Sequence, residues 1–576
     1  MKSKRLILSV LLSWLAAPLP ALSGQSTTLQ AGWTEKFLLN LPQMVKPEAA
    51  PPPAPGARVG ELFQTGTIPV SLQDVIGLML DHNLDIRTNR FSPRSSVLQT
   101  LVFYRALQPE IRFSGTVIRD TSAPTSQTSG AVTLSNLRHQ FAVNFSQLLP
   151  WGTSVSIDAT MNRQSNNSVA NTFNPSYIGN IRYTLGQHLL RDRGRLINTR
   201  QIIVGQNNER LSEIQFEEQL IDLVVQAQKA YWDLVFAAND LKVKQRSLEI
   251  AQQTLSENKM KVEIGTLARI EVKQTESEVA NRRQQLIQAT GLVVTGEDQI
   301  KRMISAETDP SLFLVKLETL DTPRSAAAVT IPALEEAVRL ALENRPELRA
   351  NELELRNREI DVEYTENQKL PLLDATLTFN QNGTGGTRTV RGGEFGGPIT
   401  QVIPGGIGDA FSQLFSYDYG GYTLGFSLTI PLNNKAAKAE YERAVNERRL
   451  SASRSDVTKA QIALEVRNAL TQIEQAKASI ETSRVARELA QERVEAEQTK
   501  FSLGTSTLRF VLEEQRNVAQ AETTELESIV SFTKAVVDLD KAMGLTLMRN
   551  NVQIDKALSA PAVASRSLSG RSRAGN

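Results

Sequence analysis

The chain has 576 residues, of which 40% are hydrophobic and 6% aromatic, so apolar material is ample but thinly spread. Its 64 Lys and Arg against 62 Asp and Glu give a net charge of +2, which argues against a nucleic-acid partner. The absence of cysteine excludes thiol nucleophiles, disulfides and thiolate metal sites, and the three histidines are too far apart in sequence to suggest a metal site or triad. We therefore predict no catalytic group, no metal site and no cofactor.

The first 23 residues are typical of a secretory signal peptide. Lys2, Lys4 and Arg5 precede an apolar run over residues 6–17, and small residues follow at 21–23. The alternative, a membrane anchor, would need about 20 apolar residues. No cysteine follows the cleavage site, so a lipoprotein is not expected. Since no later stretch is long and apolar enough for a spanning helix, any membrane insertion would have to use β-structure.

Both ends of the mature chain are predicted to lie outside the folded part. Residues 24–67 are rich in proline and lack an apolar period, which indicates an extended linker. Residues 549–576 are predicted to form a disordered tail, rich in Ser, Ala and Gly towards its end.

Between these ends the sequence repeats itself. The apolar pattern that starts at Leu72 returns at Leu334, 262 residues later, and Gly265-Thr266 returns as Gly504-Thr505 at an offset of 239. These offsets predict a tandem structural repeat with a first unit over 68–306, a connecting equatorial segment over 307–330 and a second unit over 331–548. The fall in offset places about 23 additional residues in the first unit.

Long helices dominate each unit. A helix over 196–262 would be roughly 100 Å long at 1.5 Å per residue. Helices over 71–107 and 268–305, each roughly 55 Å long, would match it when stacked end to end. Apolar residues at alternating spacings of four and three predict a heptad seam along the long helix. The seam consists of Leu220, Val224, Ala227, Tyr231, Leu234, Ala238, Leu241, Leu248 and Leu255.

The segments between the helices alternate with a period of two. Apolar Ile111, Phe113 and Val117 alternate with polar or small residues, and the run from Tyr422 to Ile430 does the same. One apolar and one hydroxyl-rich face is typical of strands between lipid and a water-filled lumen. A soluble β-sandwich is the alternative, because it shows the same period.

The ordered set of these features resembles the outer-membrane efflux protein family, the TolC-like outer-membrane channels, over roughly residues 68–548. Two short segments resemble the family's helical tips, and Thr429-Ile430-Pro431-Leu432 resembles its strand-to-helix corner. The tip residues, which the resemblance assigns to adaptor docking, are Ile264, Gly265, Thr266 and Leu267 in the first segment and Leu503, Gly504, Thr505, Ser506 and Thr507 in the second.

The resemblance implies an α+β membrane protein: a homotrimer whose transmembrane β-barrel, in contact with outer-membrane lipid, is continued by a long periplasmic α-helical barrel. Each chain of such a trimer gives four strands to a twelve-stranded barrel. It also implies an exit duct that passively conducts cargo from an inner-membrane pump of RND or ABC type and a periplasmic adaptor, in tripartite efflux or type I secretion. The localisation implied is the cell outer membrane, with the helical part in the periplasm.

This chain departs from the family pattern in its first unit. Residues 137–149 and 153–162 look like an additional hairpin with a turn at 150–152. Two added strands per chain would give eighteen strands instead of twelve, unless the hairpin folds elsewhere. The sequence leaves both possibilities open.

A second departure concerns the periplasmic gate. Alignment on Gly504 puts Phe510 and Glu513 where family members carry two gate aspartates. Ser506 takes the place of the family's tip arginine, and Glu271 aligns with that arginine's acidic partner. Arg509 would substitute for the missing arginine only through a different geometry.

Two other functions compete with the duct. A periplasmic coiled-coil scaffold or adhesin without a pore would explain the heptads but not the alternating strands or the repeat. A cell-envelope hydrolase would need a nucleophile, a metal cluster or an acid–base pair, for which the sequence offers no candidate.

Overall fold

The structure is a computed structural model that describes residues 66–124, 129–169, 171–304, 315–323, 329–393 and 397–554. The predicted signal peptide, nearly all of the predicted linker and residues 555–576 lie outside the described residues. No helix in these described ranges is both long enough and apolar enough to cross a membrane.

The elements follow one another in two similar series. The first series is β1 Thr67–Val70, α1 Leu72–His82, α2 Leu84–Asn89, α3 Phe91–Phe103, β2 Glu110–Ser122, β3 Leu134–Leu148, β4 Thr153–Asn166, β5 Phe173–His188, α4 Arg195–Glu263 and α5 Arg269–Ile304. The second is β6 Lys316–Thr319, α6 Leu334–Asn344, α7 Pro346–Gln368, β7 Leu372–Arg391, β8 Ile399–Ile403, α8 Ile407–Ser416, β9 Gly420–Thr429, α9 Lys435–Ser502, α10 Leu508–Ala542 and α11 Thr546–Arg549.

Starting positions of equivalent helices follow the offsets read from the sequence. Helix α6 begins 262 residues after α1 and α7 begins 262 residues after α2, while α10 begins 239 residues after α5. The described part of the predicted connecting segment, 307–330, contains β6.

The long helix α4 has 69 residues, so it is about 104 Å long at 1.5 Å per residue. Its bounds differ from the predicted 196–262 by one residue at each end. The predicted seam is buried from Leu220 to Leu234, where relative exposure is 1% or less at each seam position. Beyond residue 234 the predicted seam residues are only half-buried, because the buried positions shift to Ala237, Asp240 and Ala251.

The prediction of one continuous helix over 71–107 is wrong. The segment consists of α1, α2, α3 and a short 3₁₀ turn over Tyr104–Leu107. Asn83 separates the first two helices because its backbone is extended and its side chain accepts hydrogen bonds from the amides of Asp85 and Ile86. The same side chain donates to the Met303 carbonyl at 2.9 Å, so the break is held by a tertiary contact with α5.

Helices α4 and α10 run antiparallel and are joined by a ladder of ionic contacts. Lys541 lies 2.7 Å from Asp222, Lys229 lies 2.6 Å from Asp538, and Lys534 pairs with Asp233. Below these pairs, the Thr523 hydroxyl donates to Asp240 at 2.8 Å. Apolar side chains of α6, α9 and α10 form a second packed surface, which includes the fully buried Ile473 and Phe532.

Strands β1 and β6 pair in parallel and fasten the two series to each other. The buried Tyr231 of α4 donates its hydroxyl to Asp321 at 2.8 Å, and the same carboxylate accepts from the Leu72 amide at 2.7 Å. Burial and the Asp321 hydrogen bond raise the pKa of Tyr231 well above its ordinary value. Thr67, the last residue of the predicted linker, already belongs to β1.

The predicted tail also begins too early. Arg549 ends α11, and Val552, which is 9% exposed, donates its amide to the Leu547 carbonyl at 2.9 Å and packs into an apolar cluster with α1 and α4. Ordered structure therefore extends at least to residue 554, because the apolar side chains at 552 and 554 pack against this cluster.

The strands form one sheet in the order β2-β3-β4-β5-β7, with both β8 and β9 pairing with β7. All neighbours are antiparallel. The additional hairpin is β3–β4, turned at residues 149–152, and it lies within the sheet between β2 and β5. Of the two possibilities that the sequence left open, the hairpin joins the sheet, which in the described residues has six long strands and the short β8 instead of the four strands that the family resemblance implied.

The register places apolar and polar side chains on opposite faces of the sheet. One ladder row across all six long strands reads Ile111, Phe145, Ile157, Tyr183, Phe379 and Tyr422. The next row reads Glu110, Ser146, Ser156, Thr184, Thr378 and Thr423. Large side chains of the apolar face are open to the surroundings, with Phe113 75% and Phe426 67% exposed.

We predict that Tyr231→Phe lowers the apparent midpoint of thermal unfolding, measured by circular dichroism on the purified protein. The loss corresponds to about 1–3 kcal/mol, because the half-buried Asp321 carboxylate loses a hydrogen-bond donor. Tyr422→Phe is the matched control, since Tyr422 is 81% exposed on the sheet. Equal midpoints for the two variants would contradict the assigned role of the hydroxyl.

Candidate functional site

The first tip joins α4 to α5 through a Schellman turn. Gly265 adopts a φ of 78°, its amide donates to the Val262 carbonyl at 3.1 Å, and the Thr266 amide donates to the Lys261 carbonyl at 2.9 Å. A β-carbon at Gly265 would meet no atom within 4 Å, so the positive φ alone makes glycine the favoured residue there.

The second tip, between α9 and α10, has the same geometry. Gly504 has a φ of 74°, its amide donates to the Phe501 carbonyl at 3.1 Å, and the Thr505 amide donates to the Lys500 carbonyl at 3.0 Å. In each tip the threonine hydroxyl donates to the lysine carbonyl that also accepts from its own amide, at 3.0 Å for Thr266 and 3.1 Å for Thr505. Each hydroxyl thus satisfies a carbonyl that the end of the helix leaves without an intrahelical partner.

The two tips are in contact with each other. The Lys261 ammonium of the first lies 5.4 Å from the centre of the Phe501 ring of the second, within the range of a cation–π interaction. Ile264 is 74% and Leu503 73% exposed, so each tip presents one large apolar side chain to its surroundings. Leu267 is half-buried in the first tip.

The second tip contains a polar network that the sequence did not reveal. Ser506, singled out only by its alignment with the family's arginine, donates its hydroxyl to Glu497, which also lies 3.1 Å from the Lys500 ammonium. The Ser506 hydrogen bond, followed by Lys500, lowers the pKa of the Glu497 carboxyl. Thr507, with an extended backbone, is the N-cap of α10 but makes no side-chain capping bond.

The residues assigned to the gate share one face of α10. Leu508, Val511 and Leu512 are buried on the inner face of the helix. Residues Arg509, Phe510 and Glu513 are exposed on the other face, and Phe510 is 51% exposed. Arg509 and Glu513 stand four residues apart, yet within the described part of the chain neither forms a hydrogen bond or ion pair.

Glu271 does not complete a lock with the second tip. It lies in the first turn of α5, and its Oε2 is buried without a hydrogen-bond partner among the described residues. No bond joins it to Ser506 or to Arg509, in the ranges that the structure describes.

Helix α5 is instead tied to its neighbours further from the tip. Arg282 donates to Glu278 at 2.8 Å, and Arg516 of α10 approaches the same carboxylate oxygen at 3.7 Å. The buried Asn258 of α4 donates to the buried Thr275 at 3.0 Å. A polar pair within an apolar seam specifies helix register. The spacing of Glu278 and Arg282 gives a hint of their pairing in the sequence, but nothing there indicates that Arg516 is close.

The described residues contain no group of three or more His, Cys, Asp or Glu side chains placed to hold a metal ion.

Comparison with solved structures shows which folds are similar. The structure resembles the Campylobacter jejuni CmeC outer membrane channel with a TM-score of 0.58 and 14% sequence identity, over 85% of this chain and 90% of that chain. It resembles the open state of the Neisseria gonorrhoeae MtrE outer membrane channel with a TM-score of 0.54 and 15% identity, over 82% and 89% of the two chains. A membrane protein from Pseudomonas aeruginosa gives a TM-score of 0.58 at 14% identity, over 82% and 93%. At these identities the similarity establishes the fold.

No curated protein matches the chain. A family model does: the outer membrane efflux protein model matches residues 128–306 and 337–545, which together are more than half of the chain and include both tips. The chain therefore belongs to the outer membrane efflux protein family, the channels of the bacterial outer membrane whose helical part lies in the periplasm.

Proposed function

We propose that three copies of this chain form the outer-membrane exit duct of a tripartite efflux or type I secretion system. The observation that carries the proposal is a sheet with one exposed apolar face joined to helices about 100 Å long. The sheet provides a passage through the membrane, and the helices extend it across the periplasm. The duct itself conducts cargo passively. An inner-membrane pump of RND or ABC type delivers the cargo to it through a periplasmic adaptor.

The edges of the sheet favour closure by identical copies. Strand β2 pairs only with β3 and β9 only with β7 among the described strands, so each has an edge without a strand partner. Unpaired backbone groups are too costly in hydrocarbon, so a sheet there must close. Because β2 runs away from the helices and β9 runs back towards them, β9 of one copy and β2 of the next meet antiparallel.

Three copies of six long strands give eighteen strands. The row of paired residues that starts at Glu110, the first residue of β2, reaches β9 at Thr423. Strand β9 ends at Thr429, so the row meets β9 at 429 − 423 = 6 residues from the end of that strand. The rows are therefore displaced along the strands by six residues per copy. Level strand ends then require a stagger of about one residue per strand, which at about 3.3 Å rise and 4.8 Å strand spacing gives a tilt of about 35°. That value lies within the range for closed barrels.

An eighteen-stranded barrel is wider than the twelve-stranded one that the family resemblance implied. At equal tilt the diameter grows in proportion to strand number, so the increase is about one half. The polar face would line the lumen, where Asn180 donates to Asn382 at 2.7 Å and His188 lies 2.7 Å from Asp374. Side-chain pairs of this kind keep the lumen surface polar without creating a catalytic site.

The same exposed side chains argue against a periplasmic scaffold or adhesin. A water-facing sheet would expose Phe113, Tyr422 and Phe426 to solvent at a cost of about 1.5–3 kcal/mol for each large apolar side chain. The close agreement of the two helical series in order and offset supports their origin by duplication. Each series contributes one tip, and the two tips lie side by side at the far end of the long helices.

Barrel closure predicts a particular contact between copies. With strand ends level, Ser114 of β2 lies opposite Gly425 of the neighbour's β9, since the residue numbers of each facing pair sum to 110 + 429 = 539. We expect Ser114→Cys/Gly425→Cys, treated with a short bifunctional thiol reagent in outer membranes, to give a covalent trimer on denaturing gels.

The chain has no native cysteine, so either single variant serves as a clean control. Failure to cross-link at this pair and at the pairs one and two residues above and below would contradict closure through β2 and β9.

The tips are proposed to dock the adaptor. Gly504→Val should abolish export while leaving trimers and membrane insertion intact, because valine at a positive φ costs about 1–2 kcal/mol and opens the turn. Gly291→Val is the matched control, since Gly291 lies on the exposed side of α5 with no atom near its missing β-carbon. Export rates and co-purification with the adaptor give the readout, and unchanged export by Gly504→Val would remove the docking role.

The exposed face of α10 is proposed to line the periplasmic gate. Three Glu513 carboxylates near one axis would repel each other and attract cations, and Phe510 would add an apolar constriction. We expect Glu513→Gln to weaken cation preference and Phe510→Ala to raise the open probability in planar-bilayer recordings. Glu492→Gln, at an exposed position on the shaft of α9, should change neither property. A gate elsewhere would leave all three variants like the wild type.

A further inference from the structure

The short helix α8 lies on the apolar face of the sheet. Its buried residues Ala410 and Leu414 pack against Gly383 and Gly179, which are ladder partners on β7 and β5. Both glycines belong to the alternation that contains Phe379 and Tyr183, so they point to the same side as the apolar row. Helix α8 therefore covers a part of the face that carries the exposed aromatic side chains.

Glycines allow the helix to approach the strands closely. A β-carbon would lie 2.1 Å from the Ala410 carbonyl oxygen at Gly383, 2.3 Å from the Gly406 carbonyl oxygen at Gly385 and 2.6 Å from the Leu414 side chain at Gly179. A side chain at any of these positions would push the helix away from the sheet. These glycines therefore leave the space on the sheet that α8 occupies.

The helix also completes the edge of β7. Strand β9 begins at Gly420, opposite Gln381, so it leaves the next residues of β7 without a strand partner on that side. The Gln413 side chain accepts from the Thr384 amide at 2.9 Å, and the Asn382 amide donates to the Tyr419 carbonyl at 3.1 Å. These bonds fix the helix to one place on the sheet.

The apolar surface of α8 is larger than its contact with the sheet. Ile407, Phe411 and Phe415, spaced four residues apart, form one flank and are 45%, 44% and 60% exposed. Asp409, Ser412 and Ser416 lie on the other flank and are exposed as well. No described element covers Ile407, Phe411 and Phe415, so among the described residues this apolar flank is open to its surroundings.

The height of α8 on the sheet indicates what these surroundings are. Gly383 lies 383 − 372 = 11 residues above the first residue of β7, which corresponds to about 30 Å along the membrane normal at a rise of 3.3 Å and a tilt of 35°. An outward apolar band is about 25 Å tall. The helix is therefore at the upper boundary of the band.

Polar side chains mark the same boundary on neighbouring strands. The row through Gly385 continues with Tyr177, Arg163 and His139, and Arg163 lies 3.4 Å from both the His139 ring and the Tyr177 hydroxyl. Arg163 is the first charged residue that the apolar face presents above the apolar rows of β3, β4 and β5, and His139 and Tyr177 are its polar neighbours. Cationic and aromatic side chains at this height suit the headgroup region of a bilayer.

We propose that α8 is an interfacial helix on the outside of the barrel, and that Ile407, Phe411 and Phe415 insert among the acyl chains of the outer leaflet. The inference rests on the proposed function, in which the apolar face of the sheet meets lipid. The apolar flank continues that face, and the polar flank of Asp409, Ser412 and Ser416 remains with headgroups and water. The helix sets how deeply the channel sits in the membrane.

The absence of cysteine makes the test direct. Phe411→Cys and Phe415→Cys, each labelled with a nitroxide in the full-length protein and reconstituted into phospholipid vesicles, report accessibility to oxygen, which concentrates in lipid, and to a water-soluble nickel chelate. We expect both labels to show an oxygen-to-nickel accessibility ratio several-fold higher than Ser412→Cys on the polar flank.

A label at Phe426→Cys, on the apolar face of β9, separates the two possible failures. If it reports lipid while labels at 411 and 415 report water, or are shielded from both reagents by a second copy, the interfacial helix is overturned and the membrane-facing sheet stands. If the label at 426 also reports water, the proposed orientation of the sheet itself fails.

Discussion

Hydrogen bonding at the edges of the sheet is the constraint on which the rest of the structure depends. Six long antiparallel strands pair one another throughout, but a sheet in hydrocarbon has no water to satisfy the outer edges of β2 and β9. Where β9 does not reach along the β7 edge, the Gln413 side chain accepts from the Thr384 amide and the Tyr419 carbonyl accepts from the Asn382 amide. Among the six long described strands, β2 and β9 each keep one edge without a strand partner, and they run in opposite directions, an arrangement that identical copies could close by symmetry.

The helical part is stabilised by contacts between long helices. A helix of 69 residues cannot fold onto itself, so its stability comes from neighbours along its length. Close to β1 and β6 these neighbours supply a dry core around Tyr231 and Leu234. Towards the tips the packing is more polar, with Asn258 bonded to Thr275 and Glu278 between two arginines. A region held by polar pairs can rearrange at lower cost than a packed core.

The two tips share the same local chemistry. Each glycine ends one helix in a left-handed conformation, and each following threonine closes the turn onto a lysine carbonyl. The turns have almost identical backbone geometry, and Ile264 and Leu503 are exposed on them. They differ at Ser506, whose bond to Glu497 occurs only in the second tip and gives the two helical pairs different polar surroundings.

The sequence by itself determined the elements whose signals are local. The predicted bounds of the long helix differ from the observed ones by one residue at each end, Gly265 and Gly504 lie at the turns that the family resemblance assigned to the tips, and the period of two predicted the strands and their apolar face. Tertiary structure decided the rest, because the deciding contacts join residues far apart in the chain. The break at Asn83 is held by a hydrogen bond to Met303. The hairpin β3–β4 lies within the sheet because it pairs with β2 and β5, and α8 packs against glycines of two strands that are distant in sequence. Phe510 and Glu513 were singled out by alignment with the family, and only the fold placed both on the exposed face of α10 and brought Arg516 of that helix close to Glu278 of α5.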